Sequence, residues 1–280
     1  MNPSCLDFAL TSRERAAFER NGLLLLENAL SPAQVESLTR AVDRLADGAQ
    51  KQHAFDLEKR LDIRDLLWRD PLFLDLVDWP TTLPKVWGIL GWNIQIYHTL
   101  YMQAPAAAAA DEKVRFLGWH RDTGQLNRDL ETHPQPRISV KVAFFLSDCS
   151  SAGRANFWAI PGSHVQERIE KPKDGSAPTG AQPLLVPAGA ALLFDRRLWH
   201  ASSSNHSEIT RKVLFYGYSY RWLRPRDEQR VEELLDKCDP IRRQLLGHSP
   251  NGGYGYTSPA DEDVPLRGWL QQHQGEDAMG

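Results

Sequence analysis

The sequence of 280 residues has few cysteines, no dominant sign of charge and no long apolar run. Cys5, Cys149 and Cys238 are too few and too far apart for a disulfide framework or a cysteine-rich zinc site. The net charge of −3 gives no basic field that would bind nucleic acid or an anionic membrane. No apolar segment approaches the roughly 20 residues of a membrane helix, and the N-terminal residues lack a signal-peptide pattern. We therefore expect a cytoplasmic protein without nucleic-acid or membrane partners.

Histidine, by contrast, occurs nine times. In a chain with so few thiols, any metal site would consist of imidazole and carboxylate ligands. The length and the 41% hydrophobic content suffice for one large soluble domain with a full core. We treat residues 1–280 as a single domain.

The first part of this domain, residues 10–92, has a helical pattern. Residues 12–20 form a short polar helix that ends at Asn21-Gly22, and the four leucines at 23–26 favour a buried strand. Ser31 and Pro32 begin an amphipathic helix with apolar residues at helical spacing up to residue 45. Two further helices are predicted at about 62–78 and 82–90.

The pattern changes to strands in residues 93–222. β-branched and aromatic runs predict strands at 94–102, 138–146, 156–160, 190–194 and 212–220, separated by segments rich in glycine, proline and serine. Residues 223–280 contain a predicted helix at 228–246 and a turn-rich tail from 249. The alanine run at 106–110 is predicted to be a loop. Together these features predict an α+β or mainly β domain, a sandwich or barrel covered by helices at both chain ends.

Three residues have the spacing and chemistry of a metal site. His120 and Asp122 are two positions apart, so in an extended segment their side chains point to the same face. A second histidine, His200, follows an apolar strand. Two imidazoles and one carboxylate form the facial triad of non-haem iron(II), which leaves three coordination positions for other ligands. Each residue alone is more often structural, so the rest of the sequence must decide.

Arg211 is the feature that adds weight to this triad. It begins a strand on whose same face, at Val213, Phe215, Gly217 and Ser219, there is no acidic residue. A buried guanidinium at this position needs a carboxylate partner, which a dicarboxylate ligand would supply with bidentate geometry. An arginine at the rim of the sheet, paired with a surface glutamate, is the alternative.

Five segments occur in a characteristic order along residues 10–220. They are NGLLLLENALSPAQVESLTRAVDRL near the start, GWHRD at 118–122, FFLSDCSSAGRANFWAIPGSH at 144–164, VPAGAALLFDRRLWHASSSN at 186–205, and Arg211. In these segments the chain resembles the phytanoyl-CoA dioxygenase-like branch of the Fe(II)/2-oxoglutarate oxygenases. The resemblance implies a double-stranded β-helix (jelly-roll, cupin-like) core with helices packed around it.

The resemblance also implies a role for individual residues. The implied iron ligands are His120, Asp122 and His200. Arg211 is implied as the salt-bridge partner of the distal carboxylate of 2-oxoglutarate, and the Ser202 hydroxyl as its assistant. Gln103, at the end of a strand, falls where the family often has a residue that reaches the cosubstrate or substrate.

Further polar and aromatic residues surround the predicted triad. Trp119, Thr123 and Gln125 flank it and are candidate substrate contacts, although a tryptophan here is as often a core residue. We predict an architectural role for His164 in the turn that follows Pro161. The remaining histidines without a partner at metal spacing are predicted to be surface or packing residues: His98, His133 and His206.

The implied reaction converts 2-oxoglutarate and O₂ to succinate and CO₂ while a C–H bond of a small molecule is hydroxylated or otherwise oxidised by hydrogen abstraction. Related halogenases have Gly or Ala in place of Asp122, so the carboxylate argues against halogenation. We favour a secondary-metabolite type of substrate. Basic residues near the predicted loops suit an anion, and clustered aromatic residues suit a bulky hydrophobic molecule. The alternative functions are another metal-dependent, cupin-type enzyme and a non-catalytic jelly-roll that binds a small molecule.

Overall fold

A computed structural model describes residues 1–53, 60–106, 116, 118–228 and 230–275. Its centre is a pair of antiparallel sheets built from nine strands in the described part of the chain. The strands are β1 (Leu23–Leu26), β2 (Leu61–Arg64), β3 (Ile94–Ala104), β4 (Ser139–Phe145), β5 (Phe157–Ala159), β6 (Gln182–Leu184), β7 (Ala191–Asp195), β8 (His200–Ser202) and β9 (Arg211–Tyr220). The large sheet has the order β1-β7-β4-β9-β3-β2, and the small sheet has the order β6-β5-β8.

The two faces of the large sheet have different partners. Its inner face packs against the small sheet, where Phe145, Phe194 and Phe215 meet Phe157 of β5 in one apolar cluster. Its outer face packs against the helices through residues of the opposite parity. This alternation follows from the two-residue period of a strand. Any side chain that points inward from the large sheet therefore enters the space between the two sheets.

Eight α-helices of the described residues surround these sheets. They are α1 (Ser12–Asn21), α2 (Pro32–His53), α3 (Pro71–Asp75), α4 (Leu83–Leu90), α5 (Gly124–Asp129), α6 (Glu232–Leu235), α7 (Pro240–Leu245) and α8 (Pro265–Gln274). The backbone N–H of Ser31 donates to the side chain of Gln34 at 2.7 Å, and Pro32 begins α2, as the sequence predicts. Leu38 and Val42 of α2 are buried in the core on the outer face of the large sheet. None of the described helices has the length and apolar character needed to cross a membrane.

The five strands predicted from β-branched and aromatic runs are confirmed, as are the helix at 12–20 and the short strand at 23–26. The helix predicted at about 62–78 is wrong over its first residues, because Leu61–Arg64 pair with β3 as an edge strand. The helix predicted at 228–246 is two short helices, since Pro240 cannot continue a helix and begins a new one after the Asp239 cap. Within the alanine run predicted as a loop, residues 107–110 lie outside the described residues.

The short strands β6 and β8 and the helices α5 and α8 have no clear pattern in the sequence. β6 and β8 have three residues each, too few to show alternation. They belong to the small sheet, which pairs through β5. The strand β8 begins with His200, so the second predicted ligand lies in this sheet.

Candidate functional site

The three residues of the predicted metal triad come together between the two sheets. Potential ligand atoms of His120, Asp122 and His200 all lie within 4.8 Å of one another. His120 and His200 form an antiparallel bridge, in which each backbone N–H donates to the other carbonyl at 3.0 Å. The centroids of the two imidazole rings lie 4.3 Å apart, and the ring planes are tilted by 52°. The backbone pairing therefore fixes the separation of two of the three ligands.

Both imidazoles are oriented by the same kind of hydrogen bond. The Nδ1 atom of His120 lies 2.9 Å from the Gly118 carbonyl, and that of His200 lies 2.9 Å from the Leu198 carbonyl. A carbonyl can only accept, so Nδ1 carries the proton in each ring and Nε2 has a free lone pair. Burial, followed by the proximity of His120, lowers the pKa of His200 to about 4. Neutral imidazoles with a fixed tautomer are the form that binds a metal ion.

Asp122 is held as a carboxylate by a buried lysine. The Lys141 Nζ atom lies 3.0 Å from Asp122 Oδ2, and the Lys141 side chain is only 10% exposed. Burial alone raises the pKa of Asp122, but Lys141 and the two histidines outweigh it and hold the pKa well below its usual range. The triad thus combines one carboxylate with two imidazoles.

The loop that follows Asp122 is fastened to the protein by Arg196, whose side chain is fully buried. Its guanidinium donates to the Thr123 hydroxyl at 2.8 Å and to the Pro136 carbonyl at 2.9 Å. The Asp122 backbone N–H donates to the Arg196 carbonyl at 2.9 Å, and the Asn127 amide donates to the Asp122 carbonyl at 2.9 Å. Thr123 has a φ of 57°, a strained value for a β-branched residue. These contacts hold the loop in a conformation that it would not adopt alone.

A cavity of about 200 Å³ lies directly beside the triad. One end is apolar, where Leu100, Met102, Phe157, Phe194 and Phe215 line it. The other end is polar, and its lining residues include Arg64, His98, Lys141 and Arg226. The ion-paired Arg60 and Asp62 also border the cavity. All three triad residues and Ser202 lie along the cavity. Ser202 is half-buried and borders the same cavity as the triad.

Arg211 lies behind the apolar end of this cavity, on the inner face of β9, and is 1% exposed. Its Nη1 atom is 3.4 Å from Met102 Sδ, and its guanidinium lies 5.5 Å from the centre of the Phe145 ring. The Nε and Nη2 atoms have no hydrogen-bond partner among the described residues. Burial lowers the pKa of Arg211 to about 10, so the group stays charged at neutral pH. A buried cation with free donors is the expected form of a carboxylate-binding site.

Gln103 does not join this group. Its amide oxygen accepts a hydrogen bond from the Tyr101 hydroxyl at 2.8 Å, and Tyr101 belongs to the core on the outer face of the large sheet. The preceding residue, Met102, is the one that points inward and lines the cavity. The prediction for Gln103 therefore misses the cavity by one residue, which on a strand means the opposite face.

The three candidate substrate residues lie away from this cavity. Trp119 lines a neighbouring groove of about 650 Å³ that shares His120 with the cavity. Thr123 donates to the Asp122 carbonyl at 2.7 Å and accepts from Arg196, so its hydroxyl is already engaged. Gln125 is exposed on α5, where its amide donates to Asp129 at 2.6 Å.

Two residues on interior strands of the large sheet are among the cavity residues that the sequence interpretation missed. His98, predicted to be a surface or packing residue, is 1% exposed and lines the polar end. Lys141, noted only as one of several basic residues near loops, lies inside β4. Both have the parity of inward-facing neighbours, namely Leu100 for His98 and Ala143 for Lys141. Their position on the same face of the strand as these apolar neighbours was the sequence signal that could have identified both residues.

The sequence of this chain is similar to those of known proteins. A family model described as phytanoyl-CoA dioxygenase (PhyH) matches residues 18–213. Among curated proteins, the chain is 22% identical over 240 residues to the ectoine dioxygenase of Nocardia farcinica, which covers 74% of this chain and 77% of that protein. It is 31% identical over 113 residues to the uncharacterized protein Rv1501 of Mycobacterium tuberculosis, 39% of this chain. That match spans 40% of the length of Rv1501.

Solved structures share the architecture. HygX from Streptomyces hygroscopicus with nickel and 2-oxoglutarate bound has a TM-score of 0.62 and 20% identity, over 77% of this chain and 89% of that one. HygX with iron bound gives a TM-score of 0.60 at 19% identity over the same shares. At these identities the likeness shows the fold, which is mixed α/β with antiparallel sheets.

Proposed function

This chain belongs to the phytanoyl-CoA dioxygenase (PhyH) family, and we propose that it is an iron(II)- and 2-oxoglutarate-dependent dioxygenase that oxidises a C–H bond of a small molecule. The overall reaction takes 2-oxoglutarate and O₂ to succinate and CO₂, and the bound iron supplies the oxidising chemistry. The proposal includes a jelly-roll core, with which the two facing antiparallel sheets are consistent. It also includes a substrate from secondary metabolism.

The observation that carries this proposal is the free guanidinium of Arg211 on the same inner face as the metal triad. Its Nε and Nη2 donors have no partner among the described residues, although the side chain is 1% exposed. Leaving a buried charge without a counter-ion is costly, so the site is built for an anion that arrives with a ligand. The distal carboxylate of 2-oxoglutarate is that anion.

The triad fits an iron ion. His120 and His200 would bind it through Nε2, because both Nδ1 atoms donate to backbone carbonyls. Asp122 would bind as a carboxylate, the form in which Lys141 holds it. Three protein ligands leave coordination positions for the keto acid end of 2-oxoglutarate and for O₂.

The remaining residues position these groups and keep water away. The apolar end of the cavity, lined by Met102, Phe157 and Phe215, excludes water from the path between the triad and Arg211. In this proposal the Ser202 hydroxyl, which borders the cavity, donates to the cosubstrate carboxylate. Because Asp122 occupies the ligand position that relatives with halide chemistry leave open, hydroxylation is the expected outcome.

The test is succinate formation by the purified protein with iron(II) and 2-oxoglutarate in air. Asp122→Ala removes the anionic ligand, so we expect loss of iron binding and of succinate formation. Asp129→Ala is the matched control, since Asp129 is an exposed carboxylate on α5. Wild-type turnover in Asp122→Ala would remove Asp122 from the ligand set. A substrate library, followed by mass spectrometry for the gain of one oxygen atom, then identifies the oxidised molecule.

A further inference from the structure

A bulge in β3 creates a second polar site in the cavity. The register between β3 and β9 shifts at Tyr97, which is the extra residue of the bulge. The Tyr97 ring lies so close to Gly217 that a Cβ atom there would be 2.6 Å from it. The Tyr97 carbonyl accepts from the backbone N–H of Arg226 at 2.8 Å and from that of Asp227 at 3.4 Å. The bulge thus docks the segment after β9 beside His98.

Asp227 holds the imidazole of His98 in one orientation. Its Oδ1 atom lies 2.9 Å from His98 Nδ1, and its Oδ2 atom accepts from the Thr99 backbone N–H at 2.6 Å and from the Thr99 hydroxyl at 3.0 Å. Burial raises the pKa of Asp227, but its hydrogen bonds to His98 and Thr99 lower it below the usual range. A carboxylate can only accept, so Nδ1 of His98 carries a proton. Burial lowers the pKa of His98, so the ring is neutral and Nε2 is an acceptor.

The acceptor Nε2 is buried and has no hydrogen-bond partner among the described residues. His98 is 1% exposed and lines the same cavity as the metal triad. Because Nδ1 is turned to Asp227, Nε2 is the ring nitrogen left for the cavity. A buried polar atom that the protein leaves unsatisfied is expected to bind a ligand.

The cavity lining has four basic side chains and two carboxylates, Asp62 and Asp122, so it carries a net positive charge. Lys141 is buried and forms an ion pair with Asp122, with its Nζ atom 3.0 Å from Oδ2. Arg64 and Arg226 line the same end of the cavity, and within the described ranges neither forms an ion pair. An acidic group of a substrate would offset this charge.

We propose that the polar end of the cavity recognises a small hydroxylated acid, with His98 Nε2 accepting a hydrogen bond from the hydroxyl and Lys141 and Arg226 facing the carboxylate or phosphate. This assignment rests on the proposed function, because it names the substrate class of the same site. It excludes an all-hydrocarbon substrate, since such a molecule would leave Nε2 unsatisfied.

The first test is independent of turnover. Nitrogen-15 spectra of the metal-free, histidine-labelled protein report which ring nitrogen of His98 is protonated, with His98→Gln to assign the signal. We expect a protonated Nδ1 and an unprotonated Nε2, and Asp227→Asn to disturb this tautomer. A proton on Nε2 in the wild type would overturn the proposal.

The second test compares matched substrates. Short hydroxy carboxylic acids and polyol phosphates are each paired with their O-methyl ether, which lacks the donor, and the carboxylates also with their methyl ester, which lacks the charge. Succinate formation with the acid should exceed that with the ether by about tenfold or more in kcat/KM. The ester should be the poorer substrate through its KM. Equal turnover of acid and ether would refute the proposal.

His98 variants then connect this preference to the residue. His98→Leu should reduce the ratio of acid to ether to near one, whereas His98→Gln, which keeps an acceptor at a similar reach, should restore part of it. His206→Leu is the matched control, because His206 is exposed and bonded to Ser204. An unchanged ratio in His98→Leu would contradict the proposal. If no compound and no variant yields succinate, the proposed function fails, and the nitrogen spectrum still decides the tautomer of His98.

Discussion

Arg197 and Arg211 are both buried arginines close to the metal triad, and their surroundings are opposite. Arg197, 6% exposed, donates to Asp195 through Nε at 2.9 Å and Nη2 at 2.7 Å, and to the Gln135 carbonyl. Arg211, 1% exposed, has a methionine sulfur and an aromatic ring as neighbours and two donors without a partner.

The difference separates a structural charge from a binding charge. Asp195 also accepts from Arg137 at 2.8 Å, and Arg137 reaches Glu19 of α1, so this network joins the N-terminal helix to the end of β7. Each of its charges is compensated inside the protein. Arg211 forms no ion pair with a carboxylate among the described residues, and Asp62 and Cys149 only partly offset the effect of its burial.

The largest expected effect comes from breaking the structural network. Asp195→Ala leaves Arg197 without its carboxylate, and removing one partner of a buried ion pair costs about 3–5 kcal/mol. Urea denaturation followed by circular dichroism measures this loss. Asp148→Ala is the control, because its carboxylate is 41% exposed. A loss no larger than that of the control would mean that the network does not stabilise the fold.

The next largest effect is on ligand binding. Arg211→Met removes the buried cation behind the apolar end of the cavity, and losing one partner of a buried charge pair costs about 2–5 kcal/mol, or about 30-fold or more in the Kd of 2-oxoglutarate. The free energy of unfolding should stay the same or rise, because an uncompensated buried charge is replaced by an apolar side chain.

Calorimetric titration of the iron-loaded protein under argon measures the Kd for this variant. Lys212→Met removes a positive charge from the adjacent position, which faces Asp43 on the other side of the sheet, and should leave the Kd unchanged. If both variants weaken binding equally, the effect is one of net charge and Arg211 has no specific role.

The sequence is sufficient for the triad because its signals are local. They are the spacing of His120 and Asp122 and a second histidine after an apolar strand. Neither signal depends on where the neighbouring helices and strands are predicted to begin and end. Strands β3, β4 and β9 are equally readable, since each has seven or more residues and is rich in β-branched and aromatic side chains. Arg211 is found for the same reason, because the parity of β9 can be counted from Val213.

The polar end of the cavity could not be predicted in the same way. His98 depends on a bulge at Tyr97, which no residue pattern announces, and on Asp227 from a segment 129 positions away. Gln103 fails because a strand changes face with every residue, so a strand end that is misplaced by one position predicts the wrong side chain. Sequence patterns thus give the ligands of the metal, and tertiary contacts give the groups that select the substrate.

A change of pH offers a smaller and more gradual test of the network. The pKa of Asp195 is raised by burial but lowered further by Arg197 and Arg137, so it lies below the unfolded value of about 3.9. Its contribution to stability is therefore complete above pH of about 4 and is lost as pH falls through the folded-state pKa. Between neutral and acid pH, the free energy of unfolding of the wild type should fall more steeply than that of Asp195→Asn. Parallel curves would show that Asp195 does not titrate with folding.

The smallest effect is expected for an ion pair in water. Arg40 donates to Glu36 one turn away on α2, but the two side chains are 57% and 70% exposed. Both charges are solvated before and after folding, so Arg40→Gln should change the free energy of unfolding by about 0.5 kcal/mol or less. A loss comparable to that of Asp195→Ala would mean that the presence of a partner, and not burial, sets the value of an arginine here. We therefore expect the loss in the free energy of unfolding to be large where an arginine is both buried and paired, as for Arg197, and small where the pair is solvated, as for Arg40. Arg211, which is buried without a partner, should instead affect ligand binding.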